Sequence, residues 1–223
     1  ENWPLVAAMA SRELGLLRSK QGDTAAALEA LRASIDELQR LIAPAELADS
    51  LVIAARVHYL RFELESVEAL IRQAMPIQQQ IGDEHGLGKS LKELGNLHLA
   101  RHELQAAADS LEQAKSIFER HGYRYDVAIC LNNLGEVWRR HGNFEQAEWY
   151  YRQAADIHLS LGASAVTTPR FNLALLLLNR GRFDEAFAVL DEERTRLQAK
   201  GWVSDLLWVY AGLIPCMVAK RDW

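Results

Sequence analysis

Small residues recur along this chain at a nearly constant interval. Ala27, Val67, Ala107 and Ala147 follow one another at steps of 40 residues, and Ala186 comes 39 residues later. A second series lies twelve residues before the first, and consists of Gly15, Ala55, Gly95, Gly135 and Ala174. Self-similarity at a fixed period of this length is typical of architectures in which similar structural units stack on one another. The repeat therefore constrains the fold more than any single motif does.

Each unit has the pattern of two amphipathic helices joined by a tight turn. In the segment 131–154, Leu134 and Trp138 lie on one helical stripe before the turn RHGN, and Ala147 and Tyr151 lie on another after it. Gly135 and Ala147 are small, so the two helices can approach closely there. A larger side chain would overpack the contact at a cost of about 1–3 kcal/mol.

The residues of this segment carry a family resemblance. L-x2-L-G-x2-W followed by A-x3-Y-x2-A resembles the tetratricopeptide repeat, whose pattern is W-x2-L-G-x2-Y…A-x3-F…P. The resemblance covers essentially the whole chain. Two features depart from the family pattern, because the period is 40 rather than about 34 residues and the closing Pro is missing from most units. The longer period is similar to variants found in scaffolding adaptors and in large bacterial signalling proteins.

The resemblance implies an all-α fold, a right-handed α-α superhelix (solenoid) of about five and a half helix-turn-helix repeats. The sequence favours the same class, since strong helix formers recur and only 5 Pro and 13 Gly interrupt them. One repeat domain is predicted over 1–223, and Pro76 is expected to kink or shorten its helix. The predicted repeats span 4–41, 44–81, 84–121, 124–161 and 166–200, with a truncated sixth at 203–223.

The ends of the sequence suggest a piece of a longer protein. The chain opens at Glu1 without Met and stops where a pairing helix is expected to begin. The segment LIPCMVAKRDW is similar to the helical-repeat tails of bacterial proteins that join a Ser/Thr kinase to an ATPase module. The chain is therefore expected to be the C-terminal repeat segment of a large signalling protein.

Charge and composition disfavour a nucleic-acid partner, a membrane span and a disulfide framework. The net charge of −5 and the pI of about 5.8 disfavour a nucleic-acid surface, which needs a basic excess. The longest apolar run, 206–219, contains Pro215 and is shorter than the roughly 20 residues of a bilayer span. Cys130 and Cys216 lie inside apolar helical patterns, so a disulfide framework is not expected. This favours a location in the reducing cytoplasm.

No constellation for catalysis or metal binding stands out. His98 and His102 have the i,i+4 spacing of metal ligands, but His98 occupies the packing position of Trp138 and His102 falls at a turn. Nothing around Cys130 supports a nucleophile, and the glycines occupy turns rather than a phosphate-binding loop. The prediction is a protein without catalytic activity, metal or cofactor. An enzyme would need a convergent acid–base or metal site that the sequence does not show.

The polar residues of the first helices are the candidate binding site. In a stacked array these helices line the concave surface. The predicted groove residues are Arg56, Tyr59, Lys89, Lys92, Asn96, Asn132, Asn133, Glu136, Arg139, Arg140, Phe171, Asn172 and Asn179. Asn can pair with the backbone of an extended peptide, and Lys and Arg select acidic groups. The resemblance points the same way, since peptide-binding tetratricopeptide domains use Asn and basic residues at the slots of Lys89, Lys92, Asn96, Asn132 and Asn133. Alternatively, these are the polar residues that any helix exposes.

Two functions follow from this reading. The first is a protein-interaction module whose groove holds an extended, acidic segment of a partner or of the parent chain. The alternative is a sensor or regulatory segment of a kinase- or ATPase-containing signalling protein, which binds a small effector. A homodimer is also expected through an exposed apolar face of the last helix, formed by Trp208, Tyr210, Leu213, Ile214 and Met217.

Overall fold

The computed structural model describes residues 3–162 and 167–220, with side chains at all of these positions except 167, 203–205 and 220. Eleven α-helices and no β-strand occur within these ranges, which confirms the all-α prediction. The helices are α1 (Trp3–Lys20), α2 (Thr24–Arg40), α3 (Pro44–Leu60), α4 (Leu64–Ile81), α5 (Glu84–Ala100), α6 (Leu104–Arg120), α7 (Arg124–Arg140), α8 (Phe144–Ser160), α9 (Thr167–Asn179), α10 (Phe183–Lys200) and α11 (Val203–Lys220).

The chain divides into two compact units, Glu1–His121 and Gly122–Trp223, here called the first and second units. In the first unit, α1–α2, α3–α4 and α5–α6 pair as hairpins, and successive hairpins pack through α2–α3 and α4–α5. In the second unit, α7–α8 and α9–α10 pair, α8 packs on α9, and α11 packs on both α9 and α10. This consecutive packing is the helical-repeat arrangement that the 40-residue period predicts. The single domain over 1–223 stays a prediction.

The odd-numbered helices also contact one another within each unit. In the first unit α1 contacts α3 and α3 contacts α5, and in the second α7 contacts α9 and α9 contacts α11. Among the described residues of either unit, even-numbered helices make no such contact with each other. Polar side chains on successive odd-numbered helices are therefore neighbours, which is what brings the candidate site together.

The turn RHGN shows how one helix ends and the next begins. Gly142 has a φ of +84°, a left-handed conformation that glycine adopts without a steric penalty. The amide of Asn143 donates to the carbonyl of Trp138 at 3.0 Å, which closes the end of α7 as in a Schellman motif. The Asn143 side chain then accepts from the amide of Gln146 at 3.1 Å and caps α8. Three residues therefore suffice for the connection.

The recurring small residues lie where paired helices touch. A Cβ atom on Gly135 would be 2.6 Å from Cδ1 of Tyr151, and one on Gly95 would be 2.6 Å from Cγ of Leu111. On the opposite helices, Ala147 and Ala107 have no exposed surface. The separation of the two helices leaves no room for a larger side chain, which is the physical reason for the period in the sequence.

Two sequence expectations about individual segments can be compared with the structure. Pro76 does not shorten its helix, because α4 continues to Ile81. Pro76 lies on the exposed side, where water can reach the carbonyl that loses its N–H partner. Within residues 3–162 and 167–220, no helix has both the length and the hydropathy that crossing a bilayer requires.

Candidate peptide-binding surfaces on the odd-numbered helices

The first unit carries five of the predicted groove residues on α3 and α5. Arg56 is exposed on α3, whereas Tyr59 is half-buried and packs against the core between α3 and α4. Lys89 and Asn96 are half-buried on α5, and Lys92 is buried. All five residues lie on the odd-numbered helices α3 and α5 of the first unit, and together they are here called the first-unit surface.

Lys92 makes an ion pair inside the protein. Its Nζ lies 3.3 Å from Oε1 of Glu93, and Asn96 Nδ2 donates to the other oxygen of the same carboxylate at 3.0 Å. Lys92 is 9% exposed and Glu93 is 4% exposed. A charge buried to this extent needs a partner, so Lys92 first serves to neutralise Glu93. Its role as a groove cation stays a prediction, and Glu93 is a polar residue of this surface that sequence reasoning missed.

In the second unit, three asparagines form a hydrogen-bonded chain, here called the amide ladder. Asn172 Nδ2 on α9 donates to Oδ1 of Asn132 on α7 at 3.0 Å, and Asn132 Nδ2 donates to Oδ1 of Asn133 at 3.2 Å. All three side chains are half-buried. A side-chain amide has two N–H groups and an oxygen with two lone pairs, so Asn132 and Asn172 can each make further bonds. The structure thus brings together three of the predicted groove residues.

One helical turn beyond the ladder, Glu136 joins both predicted arginines. Arg139 donates through Nε and Nη2 to the two oxygens of Glu136, each at 2.7 Å, and Arg140 Nε donates to Oε1 at 2.7 Å. The Tyr151 hydroxyl donates to Oε2 at 3.2 Å. Burial alone would raise the pKa of the Glu136 carboxyl, but the hydrogen bonds from Arg139 and Arg140 lower it below its usual range. Two cations and one carboxylate leave this group with a positive excess.

Tyr151 and Arg139 respond to the same carboxylate. Burial, followed by the charge of Glu136, raises the pKa of the Tyr151 hydroxyl, which therefore stays protonated and remains a donor. The hydrogen bonds to Glu136 raise the pKa of the Arg139 guanidinium further. Glu136, Arg139, Arg140 and Tyr151 thus form one connected group, here called the Glu136 cluster. Tyr151 belongs to it although the sequence marks it only as a packing residue.

The two remaining predicted groove residues differ in their surroundings. Phe171 is half-buried and its ring meets the ring of Trp208 on α11 in a T-shaped contact, with centroids 6.3 Å apart. Asn179 is exposed and is the last residue of α9. Phe171 thus contributes to packing between α9 and α11, and only its exposed part is available to a partner.

A cavity of about 250 Å³ opens beside the amide ladder in the second unit. This cavity, here called the α7–α9 pocket, is lined by Tyr125, Ile129, Asn132, Asn133, His158, Thr168 and Pro169. Only the two asparagines were expected at a binding site. The signal that could have revealed His158 is its position in the repeat, because the same slot holds Leu38, Gln78, Phe118 and Leu197, and a polar residue there must be buried.

The last helix has an apolar exposed face, but one predicted member does not belong to it. Trp208, Tyr210, Ile214 and Met217 are exposed, and Trp208 is exposed to 65%. Leu213, in contrast, is 5% exposed and belongs to the core of the second unit. The prediction of an exposed Leu213 was wrong because α11 packs on both α9 and α10, and this packing buries the side of α11 that carries Leu213.

The histidines and cysteines that the sequence singles out are not among the residues of these surfaces. In the part of the chain that the structure describes, no group of three or more His, Cys, Asp or Glu is arranged to hold a metal ion. His98 instead pairs with Glu103, with Nδ1 2.5 Å from Oε2. Cys130 and Cys216 are both buried.

Comparisons with known proteins bear on the family. Residues 90–160 match the family model of the tetratricopeptide repeat. No curated protein matches the chain significantly. The crystal structure of BtubC (BKLC) from P. vanneervenii is similar, with a TM-score of 0.75 and 24% identity over 87% of this chain and 83% of that one.

Two further solved structures share the fold. A Rap protein complexed with Competence and Sporulation Factor has a TM-score of 0.77 and 17% identity, over 95% of this chain and 54% of its own. A signal transduction ATPase with numerous domains and a tetratricopeptide repeat sensor, from Pyrococcus horikoshii, has a TM-score of 0.73 and 15% identity, over 94% of this chain and 31% of its own. At these identities the likeness concerns the fold alone. Together with the family match over residues 90–160 and the hairpins of each unit, it shows that the chain has a helical-repeat fold similar to that of tetratricopeptide-repeat proteins.

Proposed function

We propose that this repeat module is non-catalytic and binds an extended, acidic peptide segment on the odd-numbered helices, from a partner or from its parent chain. The observation that carries the proposal is the amide ladder beside the Glu136 cluster. The amides of Asn132 and Asn172 can bond a peptide backbone, and the positive excess of the cluster favours carboxylates. The cytoplasm is the proposed place of action, because the chain has only two cysteines and both lie inside helices rather than in a disulfide-rich framework.

The test uses fluorescence anisotropy with labelled ten-residue peptides that differ only in being acidic, neutral or basic. The acidic peptide is expected to bind best to the full chain. The double variant Asn132→Ala/Asn172→Ala should weaken that binding by about tenfold, because it removes two or more hydrogen bonds of about 1 kcal/mol each. Gln153→Ala is the matched control, because it removes an exposed amide from the even-numbered helix α8.

The charge preference is tested separately with Arg140→Gln. This change should reduce both the affinity for the acidic peptide and its dependence on salt, since one guanidinium no longer faces the ligand. Equal affinity of the wild type, the double asparagine variant and Arg140→Gln for the acidic peptide would rule out the second-unit surface as the binding site.

The alternative function, a sensor that binds a small effector, is supported by the α7–α9 pocket. Its volume of about 250 Å³ is below that of a drug-sized site but is sufficient for a small metabolite. The fold shared with the ATPase that carries a repeat sensor is consistent with this role. A thermal-shift screen would test it, because a ligand that binds only the folded state raises Tm. A metabolite that raises Tm while no peptide binds would favour this function over the first.

Self-association through α11 is a further part of the proposal. Trp208 and Ile214 are exposed on neighbouring turns of this helix, and large exposed apolar patches commonly mark contact surfaces. Sedimentation velocity should show a dimer whose fraction rises with concentration, and Trp208→Glu/Ile214→Glu should abolish it. A wild type that stays monomeric at the highest concentration would contradict this contact.

A further inference from the structure

The α7–α9 pocket combines neutral walls with a buried imidazole. His158 is 5% exposed, and its Nδ1 has no hydrogen-bond partner among the described residues. Burial lowers the pKa of His158, so the ring is neutral at pH 7. The other residues that line the pocket include no Asp, Glu, Lys or Arg; they are Tyr125, Ile129, Asn132, Asn133, Thr168 and Pro169. A charged ligand group would lose its hydration here without gaining an opposite charge, so the pocket selects an uncharged group.

The walls of the pocket favour a ring. The Tyr125 and His158 rings already meet in a T-shaped contact, with centroids 5.3 Å apart and planes at 77°. Ile129 and Pro169 add apolar surface. A cavity of about 150 Å³ can hold benzene, so the volume of about 250 Å³ is sufficient for a substituted ring. An added aromatic group would gain both apolar contact and ring–ring contact with this pair.

The amides place hydrogen-bonding groups at the same pocket. Asn132 and Asn133 both line it, and Asn132 also accepts the hydrogen bond from Asn172. The residue that would bind a peptide backbone is therefore the one that borders the pocket. A side chain that projects from a peptide on the ladder would enter next to Asn132, with amide donors and acceptors in reach of a hydroxyl group.

From this juxtaposition we infer that the α7–α9 pocket is a specificity pocket for one uncharged aromatic side chain with a polar edge, such as tyrosine, of the bound peptide. This inference rests on the proposed peptide-binding function and adds the residue that the peptide must carry. The ligand is thus acidic along its length, where it passes the Glu136 cluster, and aromatic at one position. Neither requirement alone defines the partner.

The test uses acidic ten-residue peptides that differ at one central residue, which is Tyr, Phe, Ala, Glu or Lys. We expect the Tyr peptide to bind the full chain at least about tenfold more tightly than the Ala peptide, because burying one ring removes a large apolar area from water. Glu and Lys should give no gain over Ala. Tyr125→Ala should remove the preference for Tyr, and the residue is 49% exposed, so the fold should tolerate the change. Tyr123→Ala, outside the pocket, is the matched control.

A second measurement separates this inference from the peptide-binding function. N-acetyl-tyrosinamide is titrated into the full chain while the Cε1–H signal of His158 is followed by NMR, with the signal assigned by its loss in His158→Gln. Equal binding of all five peptides would overturn the pocket and leave the peptide function intact. If N-acetyl-tyrosinamide shifts the His158 signal but none of the five peptides binds, the result would support an aromatic pocket and overturn the peptide function. Neither binding nor a shift would overturn both.

Discussion

The two units carry different chemistry at equivalent positions of the repeat. Lys92 and Glu93 of α5 lie 40 residues before Asn132 and Asn133 of α7, on helices that end and pair in the same way. In the first unit these positions hold a buried ion pair. In the second they hold half-buried amides that bond to each other and to the next odd-numbered helix.

The difference shows that the repeat sets where a side chain lies and the residue type sets what it can still bind. A buried lysine and a buried glutamate must satisfy each other, because either charge alone would be costly. An asparagine keeps bonding capacity after its first hydrogen bond. The first-unit pair therefore serves stability first, and the second-unit amides are the better candidates for recognition.

The largest expected effect tests this division directly. Lys92→Ala leaves Glu93 buried without its cation and should lower the free energy of unfolding by about 3 kcal/mol. Asn132→Ala should cost only about 1 kcal/mol, since the amide is half-buried and loses ordinary hydrogen bonds. Urea unfolding measures both. The control Lys92→Met/Glu93→Leu removes both charges and should recover most of the loss. If Lys92→Ala and Asn132→Ala lowered the unfolding free energy equally, the proposed difference between a stabilising ion pair and amides available for recognition would be contradicted.

A smaller effect should be shared by both units, because the small-residue contacts are equivalent. Gly95→Ala and Gly135→Ala should each lower the unfolding free energy by about 1–3 kcal/mol. Gly135→Ala should cost more, because the new Cβ meets the rigid ring of Tyr151, whereas Leu111 can change rotamer. Thermal and urea unfolding of the two variants would show this order. A stable Gly135→Ala protein would mean that α7 and α8 separate more easily than their packing indicates.

The smallest effect compares two buried polar residues in one repeat position. The Gln78 side-chain oxygen in the first unit accepts a hydrogen bond from Ser90 at 2.7 Å, while Nε2 of Gln78 and Nδ1 of His158 both lack a hydrogen-bond partner among the residues that the structure describes. Burial holds the pKa of His158 in the folded state below its unfolded value of about 6.5. The unfolded chain therefore takes up the proton first as pH falls, and stability decreases through about pH 6.5 toward the folded pKa.

The measurement compares Tm of wild type and His158→Gln between pH 8 and pH 5.5. The fall of Tm toward pH 5.5 should be smaller in His158→Gln than in the wild type, because glutamine does not titrate. The carboxylates contribute equally to both proteins. Gln78→Ala, which removes no titrating group, should keep the full dependence on pH. Identical pH profiles for wild type and His158→Gln would show that His158 is not held neutral by burial.

Much of the fold was readable from the sequence because it depends on local patterns. The small residues at Gly135 and Ala147, the apolar stripe at Leu134 and the turn RHGN each act within one hairpin, and the structure confirms the helices that they predict. Leu213 was assigned to the wrong side because its environment depends on α9 and α10, which pack on α11. A helical stripe identifies an apolar face but not which part of it a neighbour will cover.

The sequence by itself determined the period, the helix pairs and the polar character of the odd-numbered helices, since these follow from helical spacing and from the turn residues. The tertiary structure decided which polar groups are available. Lys92 is paired with its neighbour Glu93, Glu136 joins two arginines, and His158 from α8 meets Tyr125 and the amides at a pocket. The ion-pair partners of Lys92 and Glu136 lie on the same helix as each of them, but burial depends on residues from neighbouring helices. Burial therefore decides which of these side chains remain available to a ligand, and the place in the repeat does not.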